Sequence, residues 1–216
     1  MSKKVINVIN WVLSVCLCSM GVALCTKASF GLSMIAAPPY ILHCIFCERF
    51  PWFTQGTAEY IWEAFLLILL CIIIRKFKWR FLLSFITAVV NGLLIDFWLM
   101  VLGGTGVYES MVIRIAAFIF GVVIIAFAIA FVFRTNLPPQ VYELIVILIS
   151  KKFNLQPSKT KLGNDFVMLA FTLILAFGFN HSTQGIGAGT IIVTFINAPL
   201  IKYFGDFIDK VESKIR

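Results

Sequence analysis

Five polar side chains lie in or beside long apolar stretches of this chain, where polar groups are rare. Glu63, Asp96 and Glu143 carry carboxyl groups, and Asn91 and Asn197 carry amides. An ionisable side chain at membrane depth is energetically costly and usually faces the interior of a helix bundle, where it binds a solute, carries a proton or pairs with another charge. An asparagine at that depth bridges two helices or lines a cavity. These five residues are therefore candidates for a substrate-binding site.

Two prolyl pairs, Pro38-Pro39 and Pro138-Pro139, interrupt apolar stretches one hundred residues apart. Proline removes a backbone hydrogen-bond donor and disfavours helix in the residue before it. The apolar pieces that follow the pairs, 40–47 and 140–150, are too short to cross a bilayer, so we predict a re-entrant or interfacial helix in each. Broken backbone at membrane depth is tolerated only inside protein or along a wet cavity. We expect the prolines to leave unpaired backbone groups that contribute to the same binding site.

Structural pairing is the alternative role for the charged residues near the outer ends of the apolar runs. Lys27 is expected to form an ion pair with Glu63 or Asp96, and solute binding or proton coupling is the other role open to these residues. Glu59 is expected to place its carboxylate at the membrane interface.

A second set of charges belongs to the opposite side. Glu143 and Asp165, with Arg134 nearby, are expected to form a pair that holds the piece 140–150 in place. Ion-pair networks also make residues look functional, so a binding role for Glu143 is the alternative.

The composition predicts one membrane domain over residues 1–216. Hydrophobic residues make up 61% of the chain, charged residues only 13%, and the mean hydropathy is +0.98. A soluble domain is about half apolar and a quarter charged, so this chain requires the lipid bilayer as its solvent. The net charge of +8 is read as a topological signal, and no nucleic-acid partner is expected.

Six apolar runs approach the roughly 20 residues that a helix needs to cross a bilayer. They are 11–32, 57–74, 81–102, 112–133, 164–180 and 187–204. With the N-terminus inside, all lysines and arginines except Lys27, Arg49 and Arg114 fall on the inner face. This positive-inside pattern predicts that both termini are cytoplasmic.

The prolyl pairs belong to a longer internal repeat. Its copies cover about 11–102 and about 112–204, and each copy holds three spans. An odd number of spans makes the second copy enter from the opposite side, which is the inverted-repeat architecture of many secondary transporters. The predicted fold is therefore all-α, a polytopic bundle of about six transmembrane helices in two inverted repeats. The matched residues are Gly21 with Gly121, Val22 with Val122, Ala28 with Ala128, and Asn91 with Asn197.

Signals for catalysis and cofactors are weak, and we predict that the chain is not an enzyme and holds no cofactor or metal. No order of Ser, His and acidic residues points to hydrolysis, and no spacing of His, Cys and acidic residues forms a metal site. Gly185, Gly187 and Gly189 follow no strand and precede no Lys-Ser/Thr, so they favour close helix packing over a phosphate loop. Cys44 and Cys47 form a C-x-x-C pair, which keeps a thiol oxidoreductase among the alternatives.

Several of these segments resemble the motifs of the YczE/YyaS/YitT-type bacterial membrane proteins. The segments are 21–24, 28–31 and 37–38, then Asn91-Gly92 with Asp96, and the Gly-x-Gly-x-Gly-Thr run at 185–191. Many members place an aspartate just after the proline, where this chain has Tyr40 and Gln140. The resemblance implies a multi-pass protein of the bacterial inner membrane, and it implies no defined activity.

Four functions follow from these observations. The leading hypothesis is a small secondary transporter or permease that binds an unidentified small solute between the repeats. The alternatives are a membrane factor that assembles or stabilises a partner complex, a solute-capture subunit that needs a separate motor, and the thiol oxidoreductase. A homo-oligomer and a complex with another membrane protein both stay open as quaternary states.

The topology is testable with reporter fusions at Glu109 and Lys152. The basic-residue pattern places the connection containing Glu109 outside and the one containing Lys152 inside. An alkaline phosphatase fusion should therefore be active only at Glu109, and a fluorescent protein fusion only at Lys152. Fusions that report the same side at both positions would contradict the six-span topology.

Overall fold

The computed structural model describes residues 3–104, 106–135, 137–180 and 185–215. Within these residues all regular secondary structure is helical, and there is no strand. A π-helical turn, Ala176–Asn180, ends the seventh helix. The helices are α1 (Lys3–Ala28), α2 (Ala37–Phe46), α3 (Gln55–Ile74), α4 (Trp79–Val101), α5 (Met111–Val132), α6 (Val141–Phe153), α7 (Pro157–Leu175) and α8 (Ala188–Ile215).

Six of these helices, α1, α3, α4, α5, α7 and α8, are long and apolar enough to cross a membrane. Their outward faces carry large apolar side chains, among which Phe195 is 76% exposed and Met100 is 70% exposed. A soluble monomer rarely exposes such continuous apolar surface, so these faces require lipid. The predictions of an all-helical class and of six spans are confirmed.

The first predicted span, 11–32, extends too far at its C-terminal end. α1 stops at Ala28 because the next residues leave the helical region, with φ of 54° at Ser29 and 110° at Gly31. The chain there turns toward the start of α8, where the Leu32 amide donates to the Gly185 carbonyl at 2.8 Å. A Cβ on Gly31 would lie 2.5 Å from Thr190 Oγ1, so this crossing needs glycine.

The two prolyl pairs occupy different positions relative to their helices. Pro38 and Pro39 lie inside the first turn of α2, where backbone N–H groups have no intrahelical partner in any case. Pro138 and Pro139 precede α6, which begins at Val141 after the N-cap Gln140. With 10 and 13 residues, α2 and α6 are too short to cross, as the sequence predicts.

Glycines set the closest helix contacts. α1 packs on α5 where a Cβ at Gly21 would lie 2.8 Å from the Gly121 carbonyl oxygen, and one at Gly121 would lie 2.9 Å from that of Gly21. α3 packs on α4 through Gly56 and Gly92 in the same reciprocal manner. Small residues let helix backbones approach closely where hydrophobic burial gives no driving force, as in a lipid environment.

The remaining helices surround these two pairs. α4 also packs on α1, and α8 packs on α5, while α2 contacts α3 and α7, and α6 contacts α3, α4 and α7. Between α7 and α8 the described residues make no comparable contact. Only 17% of the α7 span and 18% of the α8 span are buried, against 39–44% for the other four, so α7 and α8 are the most exposed to lipid.

The substitution Gly92→Ala should destabilise the protein, because its Cβ would lie 2.6 Å from the Gly56 carbonyl oxygen and push α3 and α4 apart. Overpacking of this kind costs about 1–3 kcal/mol. The matched control is Gly163→Ala on α7, where a Cβ meets no atom within 4 Å. Thermal unfolding in detergent should show a lower midpoint for Gly92→Ala and an unchanged or higher one for Gly163→Ala. Equal midpoints for the two variants would contradict the glycine contact.

Candidate functional site

The centre of the candidate site is a contact between a buried carboxylate and the start of α6. The Val141 amide, the first of that helix, donates to Glu63 Oε2 at 2.9 Å, and Glu63 is completely buried. The N-terminus of a helix carries unpaired N–H groups and the positive end of the helix dipole, both of which stabilise an anion. The arrangement explains how a carboxylate and an interrupted backbone coexist inside this protein.

The carbonyl freed at the second prolyl pair is also paired. Pro138 O accepts a hydrogen bond from Trp11 Nε1 of α1 at 3.3 Å and another from Thr87 Oγ1 of α4 at 3.2 Å. The expectation that Pro138 and Pro139 leave unpaired backbone groups is therefore wrong for Pro138 O and for the Val141 amide. Side chains from three helices satisfy these groups, as a break at membrane depth requires.

α6 covers only half of the membrane-crossing length of α3. Its start lies at Glu63, eight residues and about 12 Å along the axis from the first residue of α3. Near its other end, Lys152 Nζ donates to the carbonyl of Ile73 at 2.6 Å, one residue before α3 ends. α6 therefore runs from the middle of α3 to its C-terminal end, which is the geometry of a re-entrant half-helix.

α2 approaches the same region from the other end of α3. The ring of His43 is 2.8 Å from the Phe53 carbonyl, so the second half of α2 lies beside the start of α3. Ile35, just before α2, packs against the apolar cluster that contains Trp62 and Tyr142. Pro38 and Pro39 are fully buried, but no hydrogen bond links them to Glu63 or to the other carboxylates.

Polar side chains form a column along one face of α3. Gln55, Glu59 and Glu63 recur every four residues, and they are 3%, 5% and 0% exposed. The prediction that Glu59 reaches the membrane interface is wrong, since its carboxyl group is buried beside the Tyr142 hydroxyl of α6. Tyr142 itself is 2% exposed. The four-residue spacing was visible in the sequence as a helical signal, whereas nothing in the sequence pointed to Tyr142.

Glu143 lies beside this group on α6, and its expected ion partners are engaged elsewhere. Arg134 binds Asp209 of α8, with 2.7 Å between Nε and Oδ1, and Lys161 binds Asp165 one turn away on α7 at 3.3 Å. The expected pairing of Glu143 with Asp165 and Arg134 is therefore wrong. Glu143 is half-buried. Glu143 Oε2 has no hydrogen-bond partner among the described residues.

Asp96 performs a local structural role at the start of α3. Its two carboxylate oxygens accept from Thr54 Oγ1 at 2.5 Å and from the Gly56 amide at 2.8 Å. The expected ion pair with Lys27 does not form. Lys27 Nζ instead donates to the carbonyls of Gly104 and Gly106, at 2.9 and 2.8 Å. The structure thus separates Asp96 from the region of Glu63.

The two asparagines are not equivalent in their surroundings. Asn91 is 1% exposed on the face of α4 that also carries Thr87, one turn away, and its Oδ1 has no partner among the described residues. Asn197 is half-buried on α8, a helix that packs mainly on α5. Its Oδ1 is buried without a partner as well. Asn91 therefore lies near the contact between Thr87 and Pro138, and Asn197 lies on a separate helix.

The remaining sequence motifs form no disulfide, metal site or phosphate loop among the described residues. All six cysteines are free thiols, and Cys47 Sγ lies 3.8 Å from the Cys44 carbonyl rather than against its thiol. Among the described residues, no group of three or more His, Cys, Asp or Glu side chains is placed to hold a metal ion. Gly187 and Gly189 pack against the Phe30 carbonyl, in keeping with a helix-packing role.

Six spanning helices, two half-helices and a buried carboxylate at the start of one of them define a polytopic helical membrane protein with an internal polar site. The chain belongs to the family of unknown function DUF6198, whose model matches residues 5–206. It is 25% identical over 192 residues to the uncharacterized protein YyaS of Bacillus subtilis strain 168, and the match covers 89% of each chain. No solved structure matches it. The resemblance to YyaS-type proteins is thus confirmed.

The capping role of Asp96 predicts a graded loss of stability. Asp96→Ala leaves the buried Gly56 amide without its acceptor, and hydrogen bonds to a charged group contribute about 1.5–3 kcal/mol each. Asp96→Asn keeps one acceptor oxygen and should lose less. Glu109→Ala, in an exposed loop, is the control and should leave the thermal midpoint unchanged. A midpoint for Asp96→Ala equal to that of Glu109→Ala would exclude the capping role.

Proposed function

We propose that this protein is a small secondary transporter or permease, which binds an unidentified small solute between two inverted repeats near the middle of the membrane. The contact between Glu63 and the Val141 amide carries the proposal, because it places a half-helix N-terminus and a carboxylate together at mid-depth. Transporters build their sites from such broken helices at the interface of their repeats. A protein with a purely structural interior has no need of this interruption.

The helix contacts support the inverted repeat. In a two-fold relation that exchanges α1–α4 with α5–α8, the contact of α1 with α4 corresponds to that of α5 with α8. The contact of α2 with α7 likewise corresponds to that of α6 with α3, and all four contacts exist. Gly21 and Gly121, matched at an offset of one hundred residues, face each other across α1 and α5, where the axis of such a relation would pass.

Two helix contacts have no counterpart in this relation, that of α4 with α6 and that of α3 with α4, and the second difference suits a transporter. α3 and α4 are in close contact through Gly56 and Gly92, whereas their counterparts α7 and α8 are apart in the described residues. A cavity of about 440 Å³ lies between α3, α6 and α7. Its lining includes Ile145, one helical turn from Tyr142, and Ile73 at the end of α3. We interpret the structure as closed on the side of Gly56 and open toward the side of Ile73.

A second candidate function rests on the exposure of α7 and α8. An assembly factor would bury the apolar faces of these two helices against a partner, and 17–18% burial leaves ample surface for that. A solute-capture subunit would use the same faces to contact its motor. For all of these functions we propose the bacterial inner membrane with both termini in the cytoplasm, following the basic-residue pattern.

A metabolite screen followed by a transport assay tests the leading proposal. Purified protein is screened by thermal shift, since a compound that binds the folded state raises its apparent stability. Labelled compound should then exchange by counterflow in proteoliposomes that contain this protein alone. Glu63→Gln and Asn91→Leu should weaken binding roughly ten- to hundredfold, the equivalent of about 1.5–3 kcal/mol. Glu109→Gln in the exposed loop is the matched control.

The alternatives predict different results in the same assays. A compound that stabilises the protein without counterflow would indicate a capture subunit. An absence of any stabilising compound, together with stoichiometric co-purification of a membrane partner, would indicate an assembly factor. Parental affinity in both Glu63→Gln and Asn91→Leu, with folding intact, would exclude the central site.

A further inference from the structure

The carboxyl groups of Glu59 and Glu63 occupy an interior position without a compensating positive charge. They lie one turn apart on the buried face of α3, at 5% and 0% exposure. Burying two ionised carboxylates together is strongly unfavourable unless a cation or donors neutralise them. Glu63 Oε2 accepts a hydrogen bond from the Val141 amide, and the other oxygen of Glu63 has no partner among the described residues.

The basic side chains that have polar partners in the described region are engaged away from Glu59 and Glu63. The ion pairs there join Arg134 to Asp209 and Lys161 to Asp165, so neither reaches these glutamates. Lys27 and Arg114 bind backbone carbonyls at the ends of α1 and of the loop after α4. The groups that act electrostatically on Glu59 and Glu63 are other carboxyls and the Tyr142 hydroxyl.

A second observation, independent of the carboxylates, points to a missing occupant. The Tyr142 hydroxyl is buried beside Glu59 and has no hydrogen bond of normal geometry. Asn91 Oδ1 and Gln55 Oε1 are likewise buried without a partner, although Gln55 Nε2 binds Thr26 Oγ1 at 2.9 Å. Buried polar atoms in folded proteins are almost always paired, so the unpaired Glu63 Oε1 and Tyr142 hydroxyl indicate that this interior lacks a hydrogen-bond partner.

We propose that Glu59 and Glu63 form a proton-binding site that holds at least one exchangeable proton, with Tyr142 and Glu143 of α6 as its neighbouring groups. The proposal rests on the proposed function in that this proton would be the coupling ion of the transporter. Protonation turns one carboxylate oxygen into a donor, which removes the charge and supplies hydrogen to the unpaired acceptors.

Titratable groups from five other helices lie around or near Glu59 and Glu63. From α1 the Cys18 thiol faces the cluster, and from α6 Tyr142 and Glu143 do. On α4, Asp96 is held by Thr54 and Gly56 at the start of α3. The groups of α2 lie near the same end, where His43 meets the Phe53 carbonyl and Tyr40 contacts Cys44. Beyond Glu143, α7 contributes the pair Lys161 and Asp165.

The space beside the cluster is small. The cavity bounded by Cys18, Thr87, Pro138 and Glu143 measures about 20 Å³, which is room for about one water molecule. A metal ion needs several ligands around it, and among the described residues no group of three or more His, Cys, Asp or Glu side chains is placed to hold one. A proton needs no such space.

Labelling with dicyclohexylcarbodiimide tests the proposal on the parent protein. This apolar reagent reacts with protonated carboxyl groups within the membrane, and peptide mass spectrometry locates the adduct. We expect adducts on Glu59 or Glu63 whose formation rate falls about tenfold for each pH unit above the pKa of the group. Asp96, with two hydrogen-bond donors on its carboxylate, and the exposed Glu109 serve as internal controls and should stay unlabelled.

Variants and ions separate the outcomes. Glu63→Gln keeps an acceptor for the Val141 amide, so it should fold and lose the adduct at position 63, and Glu59→Gln is the reciprocal variant. Absence of labelling at both positions across the pH range, or labelling independent of pH, would overturn the proposal. Protection by Na⁺ or K⁺ at constant pH and ionic strength would also overturn it, in favour of a metal cation. Labelling needs no transport, so pH-dependent adducts without counterflow would leave the proton site standing and reject the transporter.

Discussion

The hydrogen bond between the Val141 amide and the Glu63 carboxylate is the constraint on which the interior of this protein depends. In lipid, neither an unpaired backbone N–H group nor an isolated carboxylate is tolerated, because each costs several kcal/mol. Here the amide of Val141 and the carboxylate of Glu63 satisfy each other. The adjacent carbonyl of Pro138 binds Trp11 and Thr87, so the start of α6 is tied at one point to α1, α3 and α4. A substitution that removes these hydrogen bonds would therefore affect the packing of α1, α3, α4 and α6 together.

Charges in this chain are directed mainly at helix ends rather than at one another. Asp96 caps the start of α3, Glu63 caps the start of α6, and Arg114 binds the carbonyl of Ala28 where α1 ends. Helix termini offer unpaired N–H or C=O groups and a partial charge of the appropriate sign, so they act as partners fixed in the fold. Arg114 thus binds the end of α1, and Lys27, which lies in the last turn of α1, binds the loop carbonyls of Gly104 and Gly106. Their positions follow from the helix ends and do not conflict with the proposed topology.

The sequence predicted the elements of the fold because each has a local signal. Apolar runs of about 20 residues predicted the spans, and the prolyl pairs predicted two short helices. The partners of the charged residues were missed for one physical reason, namely that a sequence shows side chains but not the free ends of backbone helices. Lys27 was assigned to Glu63 or Asp96, and Glu143 was grouped with Asp165 and the nearby Arg134, because only charged side chains were visible as partners. Tyr142 was missed since a tyrosine in an apolar helix carries no signal of its own, and its role depends on the contact between α6 and α3.

α3 and α4 pack closely together, whereas α7 is loosely packed, and this difference bears on the choice between the proposed functions. Gly56 and Gly92 close α3 onto α4 with backbone contact, whereas Gly163 of α7 faces open space. The segment with the fewest packing contacts in a protein has the lowest free energy of local rearrangement. α7 is such a segment, and it ends in a π-helical turn, a feature found frequently at functional sites. The cavity beside Ile145 is bounded by α7, so movement of this helix would change the size of that cavity. A partner bound permanently to α7 would block that movement, which is why transport and assembly place opposite demands on the same helix.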